Sequence, residues 1–131
     1  MKFVTTLFLA VTLGASAFAA TARAEDNADA GAKVFKRYCS ACHDATEQTN
    51  KIGPYLKGVF GRTAGTADKF HYSAAMKAAG EGGLVWDEQT LSEYLANPQK
   101  KVPGNKMPFA GLKSPDDIAA VVAFLKKESG D

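Results

Sequence analysis

A second cysteine pair is missing from this chain: its 131 residues contain two cysteines, Cys39 and Cys42, and two histidines, His43 and His71. A structural zinc site takes four ligands, usually from separated pairs, so a zinc-stapled scaffold is not the organising principle, and neither is a disulfide framework. Strand-like alternation of apolar and polar residues is also absent, which leaves helices and loops as the building material. No apolar run reaches the roughly 20 residues needed to cross a bilayer; the N-terminal one, Phe3 to Leu13, is too short. A large excess of charge is missing too, since the formal net charge is +2. That gives no broad basic footprint for nucleic acid. Internal repeats and low-complexity tracts are absent as well.

What the N-terminus does contain is Lys2, the apolar run, and small residues ending in Ala22-Arg23-Ala24. This order reads as a cleaved export signal over residues 1–24, with the cut before Glu25 and a cut after Ala19 as the nearest alternative. The expected location is the periplasm. Residues 25–131 are then one small domain. Cleavage removes Lys2 and Arg23, which brings the 16 basic residues level with the 14 acidic ones.

Cys39-Ser40-Ala41-Cys42-His43 is a C-x-x-C-H pentapeptide. Two thiols on one turn can each add to a vinyl group of a porphyrin, and the following histidine is placed to ligate its iron, so the motif points to one covalently attached haem c. A thioredoxin-like dithiol would need a preceding strand and a βαβ pattern, and neither is present. In an oxidising compartment the pair would otherwise form a disulfide, and haem attachment uses the same sulfurs. A domain this small buries a modest share of its surface, so a large apolar cofactor would also supply much of its core.

The fold class read from the pattern is all-α, short helices joined by long loops around the haem. A first helix is expected over about Asn27–Tyr38, delivering Cys39. A glycine-rich loop follows from Asp44 to Asp68, of a length that is usually functional. A short helix is expected over Tyr72–Ala79, ending at Gly80. Asp87 reads as the N-cap of a third helix, which carries Leu91, Tyr94 and Leu95 and stops before Asn97-Pro98. Ser114-Pro115-Asp116-Asp117 opens the last helix with a cap, a proline at its first position and an acidic first turn. Its apolar stripe, Ile118, Val121, Val122 and Leu125, is expected to bury against the first helix, with Gly31 allowing close approach.

The second iron ligand has three candidates in residues 25–131: Met76, Met107 and His71. Met107 sits in Pro103-Gly104-Asn105-Lys106-Met107-Pro108-Phe109, a constrained loop suited to aiming a side chain. Met76 has an ordinary helical setting and reads as core; His71 reads as a surface residue. His43 with Met107 would close both iron faces, which favours electron exchange and a raised potential over ligand binding. The chain is therefore expected to be a carrier, not an enzyme. The rival is a haem protein with a labile sixth ligand, acting as a peroxidase or small-ligand binder.

These residues together resemble class I cytochrome c, in particular the bacterial cytochrome c2 type, which is similar to mitochondrial cytochrome c. The motifs are Gly31 with Phe35, the pentapeptide, Gly53-Pro54, Gly58-Val59-Phe60-Gly61-Arg62, Tyr72, Trp86, Tyr94-Leu95-Ala96-Asn97-Pro98 and Pro103 to Met107. The resemblance implies that the Pro54 carbonyl binds the ligand histidine, that Arg62, Tyr72 and Trp86 approach a haem propionate, and that Tyr94 lies near the Met107 sulfur. It implies a docking face of Lys51, Lys100, Lys106 and Lys113 around Phe109, with Gln99 where the family carries another lysine. A bc1-type donor complex and a reaction centre or terminal oxidase as acceptor follow from it, reached by transient docking of a monomer. Asn105 departs from the usual threonine and leaves that position's propionate bond in doubt. Met76 stands where an asparagine often joins a buried water network.

Overall fold

The computed structural model describes the backbone of residues 16–130 and the side chains of residues 22–130. Five helices follow one another there: α1 (Ser16–Tyr38), α2 (Ala74–Glu81), α3 (Glu88–Ala96), α4 (Pro98–Lys101) and α5 (Pro115–Glu128). Strands are absent among the described residues, apart from a single antiparallel bridge between Thr63 and Val85. Most of the expected signal segment, residues 1–15, lies outside the described residues. No described helix is long and apolar enough to cross a membrane.

The first helix begins at Ser16 instead of near Asn27. Ser16 to Ala24 is rich in alanine and free of glycine and proline, so nothing stops the helix from extending backwards. The second helix is displaced from Tyr72–Ala79 to Ala74–Glu81, because the Ser73 hydroxyl caps it by accepting from the Met76 amide and Gly82 closes it. The third matches its expected start: Asp87 accepts from the Thr90 amide, and the Thr90 hydroxyl accepts from the Asp87 amide at 2.8 Å. The short α4 is an addition. Asn97 ends one helix and caps the next through its side chain, with Pro98 at the first position.

Helices α1 and α5 make the main packing of the fold. The Phe35 and Phe124 rings meet at 5.4 Å, and a Cβ on Gly31 would lie 1.9 Å from the Ala120 carbonyl oxygen. Only glycine lets the backbones approach this closely. Val121, Val122 and Leu125 are buried from the α5 side. Ion pairs add little here: Lys127 reaches Asp29 at 3.6 Å with both side chains largely exposed.

Lys69 adopts a φ of 56°, the single described non-glycine residue in the left-handed region. An L side chain there costs on the order of 1 kcal/mol. Lys69→Gly removes that strain but adds unfolded-state entropy, for a net gain of about 0.5 kcal/mol and a Tm rise of roughly 2–4 °C. Thermal unfolding followed by circular dichroism checks this, and an unchanged or lower Tm would show that the turn is not strained.

Candidate functional site

The haem motif grows out of the end of α1. Backbone bonds from Cys39 and Ser40 to the Phe35 carbonyl, and from Cys42 and His43 to the Cys39 carbonyl, carry one further turn past Tyr38. That turn brings Cys39, Cys42 and His43 together on the wall of a cavity of about 370 Å³. The following loop then folds back: the Gly53 amide donates to the Cys42 carbonyl at 2.8 Å and the Leu56 amide to that of Asp44 at 2.6 Å. Lys51 donates its ammonium to the Ser40 carbonyl and clips the same loop.

This folding sets the histidine. His43 Nδ1 lies 2.7 Å from the Pro54 carbonyl, so Nδ1 carries the proton and Nε2 is left as the lone-pair donor. Gly53 passes so near the ring that an added Cβ would fall 2.3 Å from its Cε1. Burial holds the imidazole below its ordinary value of 6.5; the Pro54 bond opposes this and the Lys51 charge reinforces it. The ring is neutral at physiological pH, as a metal ligand must be. Burial, with the neighbouring Cys42, pushes the Cys39 thiol up to about 11.

The remaining wall comes from distant parts of the chain. Pro54, Arg62, Tyr72, Trp86, Tyr94, Lys106, Met107 and Phe109 all border the same cavity. The Tyr94 hydroxyl lies 4.0 Å from the Met107 sulfur, and burial pushes its pKa up to about 12, so it remains a donor. The Tyr94 ring packs against Trp86 with centroids 5.0 Å apart and the planes tilted by 55°. Bonds from the Trp86 amide to the Arg62 carbonyl and from the Gly61 amide to the Trp86 carbonyl hold Arg62 and Trp86 side by side. The Tyr72 hydroxyl accepts from the Ala67 amide at 3.0 Å.

Met76 and His71 border the cavity as well. Met76 is buried in the apolar core, as its helical setting implied, and His71 is exposed. Of the expected docking lysines, Lys106 is at the cavity rim, while Lys51, Lys100 and Lys113 are exposed but do not line it. Asn105, for which a propionate bond was in doubt, has both amide hydrogens committed elsewhere, to the carbonyls of Pro98 and Val102.

Whether these residues suit haem c is decided by the donor set and by one orphaned atom. Two free thiols, a neutral imidazole with its Nε2 available and a thioether border one mainly apolar cavity. Arg62 donates Nη2 to the Tyr55 carbonyl at 2.9 Å, yet its Nη1 is the one buried side-chain polar atom among the described residues without a partner. A buried guanidinium N–H requires an acceptor, and a haem propionate is an acceptor of the right charge. The residues fit the group.

Comparison with known proteins agrees with this geometry. The family model described as cytochrome c matches residues 28–129. A cytochrome c2 from Afifella marina is 56% identical over 98 residues, covering 74% of this chain and 78% of the relative. A cytochrome c2 from Agrobacterium tumefaciens (strain II Chrys) is 50% identical over 96 residues, covering 72% and 86%. Among solved structures, cytochrome cH from Methylobacterium extorquens superposes with a TM-score of 0.69 at 44% identity, covering 76% of this chain and 97% of that one.

Proposed function

The chain belongs to the cytochrome c family, has the class I fold and carries one haem c through Cys39 and Cys42, and from that premise we propose that it is a periplasmic one-electron shuttle with His43 and Met107 as axial ligands. The electron-carrier role itself accords with its cytochrome c2 relatives. The observation that carries the ligand assignment is the meeting, on one cavity, of the Pro54-tethered His43 with a Met107 sulfur that faces the Tyr94 hydroxyl. Bound haem c supplies an iron that accepts and returns one electron. The chain does the rest. Pro54 fixes the ring and the basicity of His43. Met107 offers a soft thioether, which favours the ferrous state and raises the potential. Arg62 Nη1 would give a propionate a charged donor, and the mainly apolar walls would pack against the ring.

An enzyme reading needs an open or labile iron position, and the firm anchoring of both ligand-bearing loops favours the carrier. Residues 1–24 are proposed to be the export signal, on the succession of Lys2, the apolar run and the small residues before Glu25. The proposed partners are a bc1-type donor and a reaction centre or oxidase as acceptor, met by transient docking of a monomer.

Docking gives the first functional test. Lys100, Lys106 and Lys113 are exposed near the Met107 loop, and Lys126 and Lys127 are exposed on the far part of α5. Redox encounters rely on electrostatic steering because the carrier must leave again. Charge reversal of Lys100 and Lys106 is expected to slow bimolecular electron transfer to a membrane partner by about tenfold or more at low salt. The difference should fade as salt rises. Reversal of Lys126 and Lys127 should matter far less. Stopped-flow rates over a salt series decide this, and equal effects from both pairs would remove the docking face.

A further inference from the structure

We propose that Asn105, assisted by Gln99, is a positioning residue that clamps the Met107 loop onto α4 and so holds the thioether on the iron; this rests on Met107 being the axial ligand. Asn105 is 8% exposed. Its Nδ2 donates to the carbonyls of Pro98 at 3.0 Å and Val102 at 2.9 Å, while its Oδ1 accepts from the Met107 backbone amide at 3.0 Å. The orientation of the carboxamide follows from chemistry: two of its partners can only accept and the third can only donate. One side chain thus ties the ligand residue's own amide to both ends of a four-residue helix.

Gln99 closes the other side of the same loop. Its Nε2 donates to the Asn105 carbonyl at 3.1 Å, and its Oε1 accepts from the Gly104 amide at 3.3 Å. The two amides fasten residues 104, 105 and 107 to α4, which itself packs against α3, the helix that carries Tyr94. At Gln99, where the resemblance implies a lysine, the exposed side chain bonds its own loop. Met107 is half-buried against the edge of the core, with its sulfur 4.0 Å from the Tyr94 hydroxyl and its carbonyl accepting a turn bond from the Phe109 amide at 2.9 Å, so the Asn105 side chain is what fixes its backbone amide. Loosening the clamp therefore frees the ligand before it loosens the core.

Cyanide binding to the ferric holoprotein reads this out, because cyanide enters only when the sixth ligand has left. Asn105→Ala is expected to raise the limiting rate by about tenfold or more, the effect of leaving buried partners unpaired, and Gln99→Ala by a smaller factor. Val121→Ala, which weakens the α1–α5 core, serves as the control: it should lower the urea midpoint while leaving the cyanide rate close to wild type. Should Asn105→Ala fail to fold, Gln99→Ala and Asn105→Thr carry the test. Wild-type rates in these variants, or equal acceleration by Val121→Ala, would overturn the clamp. Met107→Leu separates the two ideas. If it binds cyanide fast while the clamp variants stay slow, only the clamp fails; if it is as slow as wild type, the axial assignment is wrong and the clamp falls with it.

Discussion

Replacing Cys39 and Cys42 together with alanine is expected to abolish covalent pigment and leave most of the chain unfolded. Both thiols border the cavity of about 370 Å³, whose wall includes the buried Val59, Trp86, Leu91 and Leu125. Left empty, that largely apolar cleft forfeits the packing a haem would give its lining, and a small domain has only about 5–15 kcal/mol of stability in all to lose. Acid-acetone extraction, the polypeptide-plus-haem mass of the natural protein and far-ultraviolet circular dichroism of the variant measure the two halves of the claim. Extractable pigment in the natural protein, or a fully helical double variant, would contradict it.

Met107→His is expected to yield a folded, low-spin protein whose potential falls by on the order of 0.2 V, a fraction of the roughly 0.8 V over which axial ligands set haem potentials. A second imidazole stabilises the ferric state relative to a thioether. The fold should survive, because Met107 lies in a loop and is only half-buried, outside the α1–α5 packing. Potentiometric titration of wild type and variant gives the shift directly. An unchanged potential would mean that the side chain at 107 does not touch the iron.

Those expectations rest on features that were legible at the level of residue type. The pentapeptide names its chemistry outright, and the caps at Asp87 and Ser114 mark helix starts that the structure keeps. Gly31 announced a close helix contact and provides one. The pairings between loops were legible through the resemblance alone: nothing in local pattern places Arg62 beside Trp86 or Tyr94 beside Met107, because those contacts depend on how the loops close.

What escaped was local competition between signals. Asn97-Pro98 reads as a stop, yet the same two residues supply a cap and a first-turn proline for α4. Ser73 outcompetes Tyr72 as the start of α2 because its hydroxyl can accept from the Met76 amide. The alanine-rich residues before Glu25 look like a processing signal and also have high helix propensity, so α1 runs through them. Asn105 and Gln99 gave no hint of their joint role, since a polar pair in a loop reads as solvated until its partners are known.

The ferric absorption spectrum in the red and near-infrared, recorded for the wild type, Met76→Leu and Met107→Leu, tests the central claim most directly. Both methionines border the same cavity, so the band must be traced to one of them by substitution. A thioether-to-iron charge-transfer band should be present in the wild type, persist in Met76→Leu and vanish in Met107→Leu. A band that is missing from the wild type, or lost with Met76 and kept without Met107, would contradict the His43/Met107 carrier.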